Sequence, residues 1–337
     1  MFLYEVEVTD GLEFITEAEL QRYNAKITAR RPGEIDFEFT GDLRSLLNLK
    51  TVQNISLLQK FAIPRPRALL SNEYLPLIVQ QIETVLHLSP QATFQTFYLA
   101  AAGSDSAIMQ RIKTTISEQT GLVSSNDKGD LWIRVRPGKD GGWEMLTRLS
   151  PRPLVTRSWR VCNLEGALNA ATAHAIVMLT KPTPKDRFVN LGCGSGTLLI
   201  ERLDHGRCPL VIGFDHDPAH LRCAQANIDA SGWANNIQLQ LADMTEIPLE
   251  TASVSVLCAD LPFGQLSGTH QANQRLYPLA LHEAARVARS GARFVLITHE
   301  IRLMESVMAQ SETWSLERAI PVNLRGLHPR IYVLRRR

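Results

Sequence analysis

The sequence predicts an α/β protein whose C-terminal half forms a doubly wound sheet, preceded by smaller α+β segments. From Arg187 onward, short apolar strand-like runs alternate with helical patterns and short connections, the order typical of a doubly wound sheet. Before Arg187, strand patterns are interleaved with few helices and include a hairpin signal, two strand-like runs around GKDGG. A chain of 337 residues is long enough for several domains.

The sequence pattern of residues 1–62 predicts a small α+β domain. Tyr4, Val6 and Val8 alternate with polar residues, as in a half-buried strand. A helix at 16–23 and further strands follow, and Asp42 is a candidate N-cap for a second helix. The predicted order β-α-β-β-α-β is that of a ferredoxin-like fold.

Residues 63–150 predict a second domain, which IPRPR separates from the first. It contains helices near 72–88 and 106–121 and the strands LWIRVRP and GWEMLTRL. A linker at 151–182 carries a bridging helix predicted over 165–180. The doubly wound domain then occupies residues 183–337.

The composition is typical of a globular protein, with 45% hydrophobic and 21% charged residues. The sequence shows neither a signal-peptide pattern nor an apolar run long enough for a membrane span. Five scattered cysteines without a CxxC pair favour reduced thiols and a cytoplasmic location. The net charge is only +2, but the basic residues are clustered, so local positive surfaces are expected.

A glycine-rich turn follows the first strand of the doubly wound domain. Asn190, Gly192, Gly194, Gly196 and Thr197 lie where the strand RFVNL meets the next helix. Glycines let the backbone approach a ligand closely, and a helix N-terminus presents free N–H groups to a carboxylate. The turn therefore predicts a cofactor-binding loop.

Two aspartates follow the next strands and are candidate contacts for an adenosine-containing cofactor. Asp215 ends VIGFD and can accept both ribose hydroxyls. Asp243 follows IQLQLA and can accept from an adenine amino group, although a polar turn residue is the alternative. Asp217 and Pro218 are read as the start of a helix. His216 and His220 lack a metal-ligand set around them, and no metal site is predicted.

The segment DLPFG after the fourth strand carries the most specific chemistry. The amine of a purine ring is a poor nucleophile, and two acceptors can bind its hydrogens and direct its lone pair. Asp260 supplies one acceptor, and the carbonyl of Leu261 supplies the other because a residue before Pro262 is held extended. Phe263 offers a face for stacking a flipped base.

A cluster of arginines near the bridging helix suggests contacts with RNA phosphates. It comprises Arg148, Arg152, Arg157 and Arg160, with no acid after Glu144. Phosphate contacts of this kind position an RNA without reading its sequence. Pairing with nearby carboxylates is the alternative for each of them.

Several segments of the chain resemble those of a known protein family. GCGSGTLLIE, Asp215 and DLPFG look like the Rossmann-like class I methyltransferase fold, in the subgroup that acts on exocyclic base amines. LWIRVRP and EMLTRLSPRPLVTRSWR resemble a THUMP RNA-binding domain. The first sixty residues are similar to the ferredoxin-like domain that precedes THUMP in tRNA guanine-N2 methyltransferases. VNLRGLHPRIYVL resembles the end of the same proteins.

The resemblance implies S-adenosyl-L-methionine as cofactor and tRNA as partner. The catalytic tetrad falls on residues 260–263, and the acceptor stem (its sixth nucleotide) is the first choice of target, before the tenth nucleotide in the D-arm. Asn190 departs from the family, where aspartate is frequent. Leu261 stands where many amine methyltransferases have proline, and this favours guanine over adenine.

Other functions stay open at this point. A ribosomal RNA guanine or an adenine N6 could be the target. A nucleotide-dependent oxidoreductase would need GxGxxG, whereas residues 192–196 read GxGxG. A non-catalytic RNA-binding protein would be expected to lose Asp260 or the glycines. The oligomeric state is undetermined, and a monomer is compatible with the sequence.

Overall fold

The chain divides into two units, which the computed structural model describes over residues 2–90, 93–262, 269–324 and 326–337. The first unit consists of Met1–Val8 and Thr16–Val155, and the second of Thr9–Ile15 and Thr156–Arg337. The first unit combines helices with a mostly antiparallel sheet, and the second is a doubly wound α/β structure, which confirms the predicted fold class. None of the described helices is long and apolar enough to cross a membrane.

The first unit is built on one eight-stranded sheet. Its strands are β1 (Phe2–Val8), β2 (Lys26–Arg31), β3 (Glu34–Phe39), β4 (Val52–Phe61), β5 (Thr96–Ala101), β6 (Val123–Ser125), β7 (Leu131–Pro137) and β8 (Trp143–Arg148). They lie in the order β2-β3-β1-β4-β8-β7-β5-β6. The boundary predicted at residue 62 lies within this unit, because β4 is hydrogen-bonded to β8 across it.

The helices of the first unit follow the sequence pattern with one difference. They are α1 (Glu13–Arg22, whose first turn belongs to the second unit), α2 (Leu75–Leu86) and α3 (Ala107–Thr120). The segment after Asp42 is a 3-10 helix, Leu43–Asn48, rather than an α-helix. Asp42 caps it as predicted, since its carboxylate accepts from the Arg44 N–H.

Charged side chains are buried on one face of the first sheet. Glu5 is 1% exposed although it alternates with apolar residues of β1. Arg136 and Lys139 both donate to its carboxylate. Burial nevertheless raises the pKa of Glu5. The strand is therefore buried on both faces and not half-exposed as its alternation predicts.

The second unit contains a seven-stranded, doubly wound sheet. Its strands are β9 (Arg187–Leu191), β10 (Leu210–Asp215), β11 (Gln238–Leu241), β12 (Val254–Asp260), β13 (Ala288–Thr298), β14 (Trp314–Pro321) and β15 (Arg330–Arg336). They lie in the order β11-β10-β9-β12-β13-β15-β14. All pairs are parallel up to β13, and β15 is antiparallel to both of its neighbours.

Helices cover both faces of this second sheet. They are α4 (Ala170–Leu179), α5 (Thr197–Leu203), α6 (Pro218–Ser231), α7 (His270–Val287) and α8 (Ile301–Ala309). Val256 and Cys258 of β12 pack into the core that contains α4, α5 and α6. Leu257 and Ala259 pack into the core that contains α7 and α8. The carboxyl ends of β9, β10 and β12 therefore meet at one edge, where ligands bind in such sheets.

Candidate active site

The turn between β9 and α5 requires its three glycines. Gly192, Gly194 and Gly196 have φ angles of 63°, 52° and 78°, in the left-handed region that favours glycine. A Cβ on Gly192 would lie 3.0 Å from the Met244 methyl carbon, and one on Gly196 would lie 3.3 Å from the Ala224 Cβ. Because these three residues have no side chain, a ligand can approach the backbone of the predicted turn closely.

The carboxylate of Asp215 ties this turn to the next strand end. It is 4% exposed. Its Oδ2 accepts from the Gly194 N–H at 2.8 Å, and its Oδ1 accepts from the Asp217 N–H at 3.0 Å. The Nδ1 atom of His220 lies 3.2 Å from the same Oδ1. These contacts fix the orientation of the carboxylate, which faces the pocket described below.

Asp260 ends β12 at the floor of the same pocket. It is paired with Ile297 of β13, and the Leu261 N–H donates to the Ile297 carbonyl at 3.0 Å. Burial raises the pKa of Asp260 to about 7. Phe263, the last residue of the predicted tetrad, lies outside the described residues.

The carbonyl of Pro262 is held by two donors from α7. The Asn273 side-chain amide donates to it at 2.9 Å, and the Tyr277 hydroxyl donates to it at 2.7 Å. The Tyr277 hydroxyl also lies 2.6 Å from Thr298 Oγ1. Asn273 and Tyr277 are both 0% exposed. The segment after Asp260 is thus fixed by buried groups, and no sequence motif pointed to them.

These strand ends enclose a pocket of about 330 Å³, a volume within the range of small-molecule sites. Eight of the predicted site residues line it: Asn190, Gly192, Gly194, Thr197, Asp215, Asp260, Leu261 and Pro262. The Asn190 amide donates to the Leu191 and Cys258 carbonyls. Its Oδ1 atom is buried and has no hydrogen-bond partner among the described residues. A ligand with an N–H group would satisfy that acceptor.

A segment that the sequence placed in the bridging helix forms another wall of the pocket. The helix is predicted from residue 165, but α4 begins at Ala170 with Asn169 as its N-cap. Residues 164–168 instead line the pocket. We call residues 161–168 the pocket strap. His216, His220 and Met244 also line the pocket without having been predicted as contacts.

The pocket strap is anchored to α6. The side-chain oxygen of Asn227 accepts from the Val161 and Cys162 N–H groups, both at 2.9 Å. Its amide donates to the Cys162 and Ser195 carbonyls. Cys162 also forms a disulfide with Cys223. The expectation of five reduced thiols is therefore wrong for this pair. The two cysteines are 61 residues apart, so no local spacing signals their contact.

Asp243 is not brought to the pocket wall. Its side chain is exposed, and its Oδ1 accepts from both the N–H and the hydroxyl of Thr245, at 2.8 and 2.7 Å. The neighbouring Met244 lines the pocket instead. The structure thus gives Asp243 the arrangement of a polar turn residue, and an adenine contact stays a prediction.

The predicted arginine cluster is mostly occupied by contacts within each unit. Arg148 donates to the Ser150 and Pro151 carbonyls. Arg157 is 8% exposed and pairs with Glu201 at 2.9 Å. Arg160 donates to the Leu168 carbonyl and to Thr197 Oγ1. Only Arg152 of the four is exposed, so contact with RNA phosphate stays a prediction that we retain for this residue.

Among the described residues, one group could hold a metal ion by proximity. The ligand atoms of His174, Glu201 and Asp204 lie within 4.8 Å of one another. Glu201 is already bound by Arg157 on one oxygen and by His174 on the other. Arg157 compensates its charge, and none of the three residues lines the pocket.

Comparisons with known proteins agree with this arrangement. The chain is 31% identical to tRNA (guanine(6)-N(2))-methyltransferase THUMP3 of Mus musculus over 183 residues, which is 50% of this chain and 36% of that protein. It is 22% identical to tRNA (guanine(6)-N2)-methyltransferase of Methanocaldococcus jannaschii, over 98% of this chain and 99% of that one. The chain thus spans about a third of the length of the mouse relative.

A solved structure and a family model cover the fold and the site. The crystal structure of TrmN from Thermus thermophilus matches with a TM-score of 0.78 and 21% identity, over 100% of both chains. This match confirms the fold. The model of the RMKL-like methyltransferase domain (UPF0020) matches residues 157–330, which include every pocket residue named above. The chain therefore belongs to the UPF0020 family of RMKL-like methyltransferase domains.

Proposed function

We propose that this protein methylates the N2 amine of a guanine in tRNA and uses S-adenosyl-L-methionine as methyl donor. The observation that carries the proposal is that Asp260, Leu261 and the glycine turn line one pocket. A pair of acceptors for an amine thus lies beside a loop built to receive a cofactor. The names of the mouse and archaeal relatives support guanine N2 and tRNA as the target.

The pocket has groups that fit this cofactor. Asn190 Oδ1 offers an acceptor for an ammonium group, and Asp215 offers carboxylate oxygens for ribose hydroxyls. The turn at 192–196 leads into the N-terminus of α5, which favours a carboxylate. When bound, the cofactor supplies an electrophilic methyl group on a sulfonium.

Residues at the carboxyl end of β12 and directly after it orient the amine. Asp260 and the Leu261 carbonyl accept its two hydrogens, so that its lone pair points into the pocket. Asn273 and Tyr277 hold the following Pro262 carbonyl and so keep this backbone in place. Asp260 acts by position and charge rather than as an obligatory base. Stacking of the base on Phe263 belongs to the same proposal.

We propose that the first unit and the exposed Arg152 contribute phosphate contacts with the RNA. The sixth nucleotide of the acceptor stem is the first choice of target, as in the names of the relatives. We propose a cytoplasmic location from this substrate alone, since the Cys162–Cys223 disulfide removes the argument from reduced thiols. We retain the separate ferredoxin-like and THUMP domains within the first unit as a prediction.

The test is a methylation assay with an unmodified tRNA transcript, followed by nucleoside mass mapping. We expect N2-methylguanosine at one position, and replacement of that guanosine by adenosine should abolish it. Nucleosides of RNA from a deletion strain should lack the same modification. N6-methyladenosine in the product, or methylation of ribosomal RNA in place of tRNA, would contradict the proposal.

A further inference from the structure

The second unit contains a second groove, which shares no lining residue with the pocket at Asp260. It has a volume of about 600 Å³, and its polar lining consists of His270, Gln274, His299, Glu300, Arg302 and Ser306. These residues come from the start of α7 and from the end of β13 through α8. Since β12 and β13 are adjacent and parallel, the groove opens at the same sheet edge as the pocket.

Hydrogen bonds of two buried α7 residues connect this groove to the backbone after Asp260. The Asn273 amide donates to the Pro262 carbonyl at 2.9 Å and lies 3.5 Å from Glu300 Oε1. The Tyr277 hydroxyl bonds the same carbonyl and contacts Thr298, whose hydroxyl oxygen accepts from the Glu300 N–H at 3.0 Å. One amide thus lies between Pro262 and Glu300, so the Glu300 carboxylate is held at a fixed place relative to the backbone after Asp260.

The carboxylate of Glu300 makes few other contacts within the fold. Glu300 stands directly before α8, but its side chain caps no N–H of that helix. Its Oε2 lies 2.8 Å from His270 Nδ1, and the side chain of His270 is 63% exposed. Within the described ranges, no lysine or arginine pairs with it. Acceptor capacity is therefore left for a ligand in the groove.

We propose that Glu300 accepts the N1–H of the target guanine and so selects guanine over adenine. Guanine presents an N1–H donor beside its N2 amine, whereas adenine presents an N1 lone pair beside its N6 amine. A carboxylate accepts a hydrogen bond from the guanine N1–H and is repelled by the lone pair of the adenine N1. A polar site rejects analogues that leave its buried groups unpaired. This inference rests on the function proposed above, for which it names the specificity residue.

The experiment compares two tRNAs that differ at the methylated position. One carries guanosine and the other 2-aminopurine riboside, which keeps the 2-amino group but has an acceptor at N1. The wild-type protein should have a kcat/KM for guanine at least about 10-fold higher than for 2-aminopurine, because one hydrogen bond to a charged group is worth roughly that ratio. In Glu300→Gln the ratio should fall about 10-fold, since the glutamine amide can donate to N1.

Two further variants separate recognition from folding. Glu300→Asp keeps a carboxylate and should retain the guanine preference. Glu305→Gln changes a nearby carboxylate of α8 that pairs with Arg330, and it should leave the ratio unchanged. Equal losses on both tRNAs in Glu300→Gln, with an unchanged ratio, would overturn the proposal. If wild-type protein forms no N2-methylguanosine at all, the proposed function fails first, and this inference with it.

Discussion

The carboxyl group of Asp260, for which we propose a role in catalysis, lies in an environment that disfavours its ionised form. Burial raises its pKa from 3.8 to about 7. Between these two pH values the folded protein holds a proton that the unfolded chain releases. The contribution of this group to the free energy of unfolding is therefore fully present below pH 3.8 and is lost as the pH rises through 7.

Asp260→Asn should accordingly stabilise the protein most above pH 7. Each unit of pKa shift corresponds to about 1.4 kcal/mol, so the gain in unfolding free energy at pH 8 should be on the order of 1–4 kcal/mol. The measurement is the melting temperature of both proteins between pH 4 and pH 8. The difference should vanish at the acid end. A difference that does not change with pH would show that Asp260 ionises at an ordinary pKa.

The pH dependence of methyl transfer should show the same ionisation of Asp260. Methyl transfer by the wild-type protein should rise as the pH passes 7, because the ionised carboxylate is the better acceptor. Asp260→Ala should reduce kcat by about 10²–10⁴-fold. Asp260→Asn should retain measurable activity with a flatter pH profile, since its amide oxygen still accepts. An Asn variant as inactive as the Ala variant would favour an obligatory base instead.

Asp215 and Asp217 offer a matched pair for testing the cofactor site. Asp215 faces the pocket, whereas Asp217 caps α6 by accepting from the Ala219 N–H at 2.7 Å. Asp215→Ala should weaken cofactor binding by roughly 1–3 kcal/mol, because polar partners are left unsatisfied. Asp217→Ala should affect mainly stability, by about 1 kcal/mol. Calorimetry would contradict the assignment if both variants bound the cofactor equally.

The pocket strap depends on one side chain of α6. Asn227 makes four hydrogen bonds from a fully buried position, and all four are with backbone groups of Val161, Cys162 and Ser195. Asn227→Ala should therefore loosen the strap and weaken cofactor affinity by about 10-fold or more, as expected from several lost buried hydrogen bonds.

Gln225→Ala is the control for this change. Gln225 is exposed on the same helix and bonds only Asp229 in the described structure. Calorimetry and hydrogen exchange of residues 161–168 measure the two variants side by side. A strap that stays protected in Asn227→Ala would mean that the Cys162–Cys223 disulfide alone holds it. The comparison should be repeated after reduction of the disulfide.

Sequence patterns predict the strand ends that form the pocket better than the strap and the buried groups that surround them. The residues at the ends of β9, β10 and β12 were found because strand ends and turn glycines have local signatures. Residues 165–168 of the strap are predicted as helix because Ala167 and Leu168 favour helix locally. In the structure α4 begins only at Ala170, where Asn169 caps it. Glu300, Asn273 and Tyr277 were missed because their role depends on packing between distant segments.

Binding of the proposed tRNA substrate should involve the exposed basic side chains more than the buried ones. Arg152→Ala should weaken tRNA binding at low salt and reduce the slope of log K against log salt by about one, the value for one lost phosphate contact. Filter binding over a range of potassium chloride concentrations measures the slope. An exposed arginine of the second unit, Arg222, is a control. An unchanged slope in Arg152→Ala would remove this residue from the proposed interface.

The path of the chain imposes an order on its folding. Leu12 and Ile15 belong to a core of the second unit, and the Asn323 N–H donates to the Asp10 carbonyl at 3.0 Å. Residues 9–15 leave the ribosome long before their partners near 321–323, because about 300 residues separate the two segments. The second unit therefore cannot be completed during vectorial synthesis until the residues near 321–323 have emerged. A proteolytic cut between the units would likewise leave this N-terminal segment to be retained by non-covalent contacts alone.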